Sequence, residues 1–243
     1  MHYYVHLEMV TVKVEKTRIL SLKRWDQEEI ESADSYCVLA NIRLLAEIDA
    51  TCLCPDERLK CGKFLRQADR NRYLLAHTIK RRFIAKLLNR DPSQLQMSFG
   101  KGGKPLLADG TLHFNLSHSG NWVAMAVCLH TAVGVDVEFP SVHGHDLPLE
   151  YVLNPADRFL FEPLDATQRF YTSWTLKEAM SKSDGRGLDR PFDSIRLSLE
   201  NNDTYRGEDG QAIWFAKHTL LADGTHFAFA SFMKTDPLLL QLN

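Results

Sequence analysis

The sequence predicts an α+β fold of two similar, pseudo-symmetric subdomains, each a long helix packed on a small, mainly antiparallel sheet. Two observations carry this prediction. Each half of the 243-residue chain contains one long helical segment, and short apolar runs that alternate like strands follow each of these segments. The two halves meet near residue 131. We therefore predict an N-terminal subdomain over residues 1–131 and a C-terminal subdomain over residues 132–243.

The N-terminal half begins with an extension, residues 1–33, to which the sequence assigns no role. It joins an alternating stretch (MVTVKVEKT) to a highly charged one (KRWDQEEIESAD). A buried strand is predicted from Tyr36 onward, and a long helix over residues 69–90. The apolar stripe of that helix, at every fourth position, consists of Leu75, Ile79, Phe83 and Leu87. Its remaining face carries Arg70, Arg72, Lys80, Arg81 and Lys86.

The rest of the chain repeats this order of elements. A glycine-rich turn (GKGGKP) leads to predicted strands in LHFNLS, WVAMAVCL and AVGVDVE. An irregular connection, HGHDLPLEYVLNPAD, precedes a second long helix in RFYTSWTLKEAMSKSDG, which glycine ends. The chain closes with alternating segments that predict short strands: IRLSL, AIWFAKH and HFAFASF.

Composition excludes several classes of function. The formal net charge of −2 provides no overall positive field for nucleic acid or an acidic membrane. No apolar run approaches the roughly 20 residues that a membrane-spanning helix needs. The five cysteines are odd in number and lack the spacing of zinc ligands, so we interpret them as reduced thiols of a cytoplasmic protein.

Two acidic residues share one face of the predicted strand GVDVE. Alternation places Asp136 and Glu138 on one side of the strand and the neighbouring valines on the other. Two such carboxylates repel each other unless a cation lies between them, and their hard oxygens favour Mg²⁺. An exposed strand face with two solvated acids produces the same pattern, so both interpretations stay open on this motif alone.

The second long helix adds a third carboxylate and a lysine. In WTLKEAMSK, Trp174, Glu178 and Lys182 are four residues apart and fall along one helix face, with Lys177 to the side. A surface Glu–Lys pair beside a core tryptophan gives the same spacing. Combined with the acidic strand, however, these residues could complete the coordination of a divalent cation, and such an ion suits a substrate that carries phosphates.

Groups that could contact those phosphates lie in the N-terminal half. They are Lys60, Lys63, Arg72, Lys104, Ser117 and His118. Each has a plainer interpretation: solvated surface charge for Lys60 and Arg72, and an ordinary turn for the Ser-His-Ser run, because Ser and Gly satisfy loose backbone groups in turns.

Four motifs together resemble those of the Sfp-like 4′-phosphopantetheinyl transferases. In chain order they are GKP (103–105), FNLSHSG (114–120), GVDVE (134–138) and WTLKEAMSK (174–182), and the segment CPDERLKCGKFLRQADRNRYLLA extends the match upstream. The resemblance implies an Mg²⁺-dependent transfer of the 4′-phosphopantetheine arm of coenzyme A to a serine of an apo acyl or peptidyl carrier protein. Adenosine 3′,5′-bisphosphate would be released, and the family's fold of two similar α+β halves agrees with the division above.

The resemblance also implies roles for individual residues. Asp136, Glu138 and Glu178 match the Mg²⁺ ligands, and Lys182 matches a lysine that reaches the pyrophosphate. His118 matches a contact to the 3′-phosphate of coenzyme A with Ser117 beside it, and Lys104 and Pro105 match the segment along the adenine. Lys60 and Arg72 are further candidates for phosphate contacts. One departure weakens these last two: Glu57 stands where the family often has a basic residue.

Several questions stay open at this stage. The base that accepts the serine proton is Glu178, or a metal-polarised water that passes the proton to Glu138. A metal-dependent nuclease is disfavoured because the chain has no net basic surface. An inactive carrier-binding scaffold is disfavoured because all the proposed ligands are present, although residues alone do not prove turnover. We expect a monomer that binds neither nucleic acid nor membrane. The carrier could serve fatty acid, polyketide or nonribosomal peptide biosynthesis.

Overall fold

The computed structural model describes residues 17–20, 28–43, 51–141 and 147–242. These residues form twelve strands and three α-helices. The helices are α1 (Pro55–Gly62), α2 (Gln67–Leu88) and α3 (Ala166–Asp184). The strands before residue 130 are β1 (Thr17–Leu20), β2 (Ser35–Asn41), β3 (Met97–Phe99), β4 (Pro105–Leu107), β5 (His113–Ser119) and β6 (Trp122–Cys128). Those after it are β7 (Val133–Glu138), β8 (Arg196–Leu199), β9 (Tyr205–Glu208), β10 (Ile213–Leu220), β11 (His226–Ser231) and β12 (Leu238–Leu242).

The first five-stranded sheet has the order β1-β12-β2-β6-β5, and α2 packs on its outer face. The predicted helical stripe is buried here, with Leu75 and Phe83 fully inaccessible to solvent and Ile79 2% exposed. Phe83 meets Tyr36 of β2 edge to face, with ring centroids 5.5 Å apart. The predicted long helix and the predicted strand from Tyr36 are therefore confirmed.

The second five-stranded sheet has the order β7-β11-β10-β9-β8 and is antiparallel throughout. Helix α3 begins at a capping box formed by Asp165 and Gln168, and it buries Leu176 and Met180 against Trp214. The inner faces of the two sheets pack on each other through a third apolar cluster that includes Val135. The described residues thus form four layers, helix, sheet, sheet and helix, which confirms the predicted α+β class.

The last strand of the chain belongs to the first sheet. β12 inserts between β1 and β2 and pairs in parallel with both. The sequence does not predict this crossing, because β12 is a short apolar run with no local signal of its partners. The division at residue 131 stays a prediction, and β12 crosses it. Most of the alternating stretch MVTVKVEKT lies outside the described residues.

Two of the basic residues that the sequence places outside the apolar stripe of α2 are buried. Lys80 and Arg81 are each 2% exposed. Both contact the carboxylate of Glu57 on α1, as does His77, with Lys80 Nζ at 2.6 Å and His77 Nδ1 at 3.0 Å. We call Glu57, His77, Lys80 and Arg81 the Glu57 cluster. It joins α1 to α2, since buried charges need a partner.

Candidate active site

The candidate site forms where an edge of one sheet meets an edge of the other. β5 ends the first sheet and β7 ends the second, and the two strands lie side by side without belonging to one ladder. Three polar side chains that alternate along β5 bridge this gap on one face of the strand. They are Asn115, Ser117 and Ser119, whose partners are the Val135 amide, the Asp136 carboxylate and the Glu138 carboxylate, at 3.0, 2.8 and 2.9 Å.

A glycine in β7 brings helix α3 against these acids. A Cβ atom on Gly134 would lie 1.8 Å from the carbonyl oxygen of Ala179 in α3, so a side chain here would push the helix away from the strand. This close approach places Glu178 and Lys182, one helical turn apart, beside Asp136 of β7. The chain folds locally so that acids distant in sequence converge.

Lys182 lies between two of the three predicted acids. Its ammonium is 2.7 Å from Asp136 Oδ1, 3.1 Å from Ser117 Oγ and 3.7 Å from Glu178 Oε1. The Asp136 side chain is almost fully buried. We call Asp136, Glu138, Glu178 and Lys182 the acidic cluster. The structure brings all four together, as the sequence predicts, although their assigned roles stay predictions.

The protonation of the acidic cluster reflects burial and crowding of like charges. Burial, and the nearby charge of Asp136, raise the pKa of Glu138, which a hydrogen bond from Ser119 partly offsets. Burial also raises the pKa of Glu178, against the opposing effect of Lys182. Burial alone would lower the pKa of Lys182, but the charges of Asp136 and Glu178 raise it overall. The cluster therefore has more carboxylates than one ammonium can satisfy.

Two carboxylate oxygens of the acidic cluster fit a bound divalent cation. Asp136 Oδ2 and Glu178 Oε2 are buried and have no hydrogen-bond partner, which is uncommon for buried polar atoms. Hard oxygen donors in negative surplus are the ligand set that Mg²⁺ prefers. Within the ranges that the structure describes, no group of three His, Cys, Asp or Glu side chains has the spacing of a ready metal site. Asp136 contacts the Lys182 ammonium.

A cavity of about 410 Å³ opens beside the acidic cluster. It reaches both sides of the edge strand β5, because Leu116 and His118 alternate with Ser117 along that strand. Its lining includes Lys60, Phe64, Tyr73, His77, Pro105, Leu116, Ser117, His118, Asp136, Glu138 and Lys182. Seven predicted site residues therefore line one cavity: Lys60, Pro105, Ser117, His118, Asp136, Glu138 and Lys182. Arg72, Lys104 and Glu178 are not among its lining residues.

The basic residues around this cavity differ in the contacts that they already make within the protein. Desolvation, and then the charges of Arg72 and Lys182, lower the pKa of His118. Arg72 donates to the carbonyl of Gly120 at 2.8 Å and pairs with Asp69, so it anchors the end of β5. The Lys60 ammonium lies over the ring of Tyr73, 5.6 Å from its centroid.

Lys104 has a structural set of partners. Its ammonium donates to the carbonyls of Val133 at 2.8 Å and Ser183 at 2.7 Å, and burial lowers its pKa to about 8. It thereby ties the glycine-rich turn to β7 and α3. The role along an adenine ring that the resemblance gives Lys104 stays a prediction, while the next residue, Pro105, does line the cavity.

Sequence reasoning missed the side chains that hold the acids. The sequence interprets the Ser-His-Ser run as a turn or as a phosphate contact, whereas Ser119 donates to Glu138 and Trp174 helps to offset the raised pKa of the same carboxyl. One signal was present: polar residues at 115, 117 and 119 alternate with period two, which predicts that they share one face of the strand. What they contact depends on the neighbouring strand, which the motif does not specify.

Comparisons with known proteins show the family of the chain. The family model described as "4'-phosphopantetheinyl transferase, N-terminal" matches residues 46–130, and "4'-phosphopantetheinyl transferase superfamily" matches residues 132–230. A 4′-phosphopantetheinyl transferase of Bacillus subtilis is 31% identical over 167 residues, which cover 66% of this chain and 70% of the relative. The chain belongs to the Sfp-like 4′-phosphopantetheinyl transferases.

Further relatives place the chain in the same family. The 4′-phosphopantetheinyl transferase Sfp of Bacillus subtilis strain 168 is 30% identical over 151 residues, 61% of this chain and 67% of the relative. HetI of Nostoc sp. is 30% identical over 164 residues, 64% of this chain and 68% of the relative. The predicted family is confirmed, and with it an enzyme of the phosphopantetheinyl transferase type. In the part of this transferase that the structure describes, no helix is long and apolar enough to cross a membrane.

Proposed function

We propose that this enzyme transfers the 4′-phosphopantetheine arm of coenzyme A to a serine of an apo acyl or peptidyl carrier protein in a Mg²⁺-dependent reaction. The second product is adenosine 3′,5′-bisphosphate. The convergence of the acidic cluster beside the cavity carries this proposal, because buried carboxylate oxygens without partners fit a cation that a diphosphate substrate also needs. Membership of the family supports the choice of substrate.

Asp136, Glu138 and Glu178 are the proposed ligands of the cation. When bound, the ion neutralises charge on the pyrophosphate while the bond to the adenosine side breaks. Lys182 supplies a second positive charge at the same place. Its ammonium contacts Asp136 and Ser117, and it stabilises the leaving phosphate once a substrate is present.

The carrier serine must lose its proton as it attacks the β-phosphate. Glu178 is the proposed base, since burial raises its pKa and one of its oxygens has no partner. The second candidate is Glu138, which would receive the proton through a water. With either base, the serine proton ends on a carboxylate of the acidic cluster, near the Lys182 ammonium.

The part of the cavity lined by Lys60, Pro105 and His118 is the proposed site of the nucleotide end of coenzyme A. His118 donates to the 3′-phosphate, and a phosphate dianion would raise the pKa that desolvation lowers in the free protein. The other proposed contacts are Lys60, Arg72, Lys104, Pro105 and Ser117. Ser117 already donates to Asp136, so its hydroxyl links the nucleotide part of the site to the acidic cluster.

We further propose a cytoplasmic, monomeric enzyme whose two related subdomains cover residues 1–131 and 132–243, with the cation in the second. A panel of apo proteins from fatty acid, polyketide and nonribosomal peptide synthesis assigns the carrier. The reaction itself is tested by incubating the enzyme with an apo carrier, coenzyme A and Mg²⁺. The carrier should gain roughly 340 Da, the mass of the transferred arm, by the phosphoryl-transfer chemistry above. Transfer at an unchanged rate after chelation of Mg²⁺ would contradict the metal dependence.

A further inference from the structure

Ser119 makes two hydrogen bonds that together fix one acid of the site. Its hydroxyl donates to Glu138 Oε2 at 2.9 Å and accepts from the backbone amide of Phe139 at 3.1 Å. The hydroxyl therefore ties the end of the Glu138 side chain to the backbone of the following residue. A carboxylate held at its tip in this way loses the freedom of its side-chain torsions.

Ser117, two residues earlier on the same face of β5, has the equivalent place beside the other acid of β7. It donates to Asp136 Oδ1, which leaves Asp136 Oδ2 buried without a partner. Each acid of β7 thus receives one hydroxyl from β5. In both acids the serine hydroxyl orients one carboxylate oxygen and leaves the second oxygen to bind another group.

These hydroxyls are needed because β5 and β7 belong to different sheets. No main-chain ladder fixes the two edges relative to each other, so side chains set their spacing. Glu138 is also the last residue of β7 and lies near the like charge of Asp136. Without a donor at its tip, repulsion would favour side-chain torsions that turn its carboxylate away from Asp136.

We propose that Ser119 is a positioning residue, whose hydroxyl holds the Glu138 carboxylate in the orientation that binds a divalent cation together with Asp136 and Glu178. This inference rests on the proposed function, from which it takes the cation. Ser119 acts through Glu138 and has no contact with the reacting atoms. Groups that orient metal ligands typically change metal affinity or activity by about 10- to 100-fold when they are removed.

The test compares binding of Mn²⁺, as a spectroscopic substitute for Mg²⁺, in the wild-type protein and in Ser119→Ala, both with coenzyme A present. Electron paramagnetic resonance measures free Mn²⁺ directly and does not depend on turnover. We expect Ser119→Ala to bind Mn²⁺ about tenfold more weakly and to need about tenfold more Mg²⁺ for half-maximal transfer. The KM for coenzyme A should stay within about threefold, because the phosphate contacts are unchanged.

Three further variants separate positioning from mere stability. Ser119→Thr keeps the hydroxyl and should restore Mn²⁺ affinity. Ser119→Cys fills similar space with a weak donor and should lose affinity as Ser119→Ala does, which decides the case if the alanine variant folds poorly. Ser198→Ala, at an exposed position of β8, should match wild type.

The outcomes distinguish the two proposals. If wild type transfers the arm and binds Mn²⁺ but both Ser119→Ala and Ser119→Cys bind it within twofold of wild type, the positioning role is wrong and the proposed function stands. Loss of affinity that follows a large fall in melting temperature, with no rescue by Ser119→Thr, also overturns the positioning role. If wild type neither binds Mn²⁺ nor loads any carrier, both proposals fail.

Discussion

The Glu57 cluster and the acidic cluster contact the same cavity, but their charges are balanced in different ways. Glu57 has a partner at each oxygen: His77 and Lys80 at Oε1, and Arg81 and the Cys54 amide at Oε2. Burial alone would raise the pKa of Glu57, yet these contacts lower it well below its ordinary value.

The acidic cluster shows the reverse balance. Three carboxylates share one ammonium, burial raises the pKa of Glu138 and of Glu178, and two buried oxygens have no partner. A satisfied network of buried charges stabilises a fold, whereas an unsatisfied one costs free energy and marks a binding or catalytic site. Buried charge alone therefore does not identify the site, whereas carboxylates that lack a matching positive charge do.

Glu178→Gln should reduce transfer without reducing stability, because it changes the acidic cluster alone. The change keeps the shape of the side chain and removes the negative charge, so we expect transfer to fall by about 10³-fold or more, as when electrostatic stabilisation by a metal is lost. The melting temperature should stay within a few degrees or rise, because repulsion with Asp136 is relieved. Transfer and thermal melts measure both effects. Asp136→Ala should also abolish transfer, and loading of a carrier at near wild-type rate by either variant would refute the ligand assignment.

Glu57→Gln should give the opposite pattern. It leaves Lys80 and Arg81 buried without a counter-charge, which costs about 3 kcal/mol of the free energy of unfolding. Transfer per folded molecule should stay within several-fold of wild type. Urea unfolding measures the loss, with Asp56→Asn on the exposed face of α1 as a control that should change stability by less than about 0.5 kcal/mol. Unchanged stability together with lost transfer would contradict the assignment of the Glu57 cluster to stability.

His118→Ala tests the phosphate contact that we propose in the cavity beside the two clusters. The loss of a charge-assisted hydrogen bond should raise the KM for coenzyme A by about tenfold. Dephospho-coenzyme A lacks the 3′-phosphate and should be affected much less. Steady-state kinetics with both substrates give the comparison, and His130→Ala, at a surface pair with Asp34, should match wild type. Equal losses on both substrates would exclude the phosphate role.

The Glu57 cluster should also make stability depend on acid pH, which is the smallest expected effect. Burial is the main cause that lowers the pKa of His77 to about 4. Between the unfolded pKa of about 6.5 and the folded value, the unfolded chain binds a proton that the folded chain does not. The free energy of unfolding should therefore fall as pH drops through that window.

His77→Gln removes this contribution and should reduce the slope by up to about 1.4 kcal/mol per pH unit. Urea unfolding at several pH values between 7 and 4 measures the slope. His218 and His226 also have a lowered pKa, so part of the acid dependence should remain in the variant. A slope identical to that of wild type would mean that His77 is protonated in the fold.

The sequence by itself predicted the two long helices and the strand that carries two of the acids. Leu75, Ile79 and Phe83 predict α2 because a period of four places them on one helix face. Asp136 and Glu138 are predicted to share a face because strand side chains alternate. The motifs around them indicate the family, which the relatives confirm. These features are local, so local spacing is sufficient to find them.

Only the tertiary structure decided which charges are satisfied. Lys80 and Arg81 have the pattern of a solvated helix face, and their partner Glu57 lies on another helix. Ser119 reaches Glu138 because the edges of two sheets meet, and β12 joins the first sheet from the far end of the chain. The free energy of a buried charge depends on what surrounds it in space, and the spacing of residues along the chain does not contain that information.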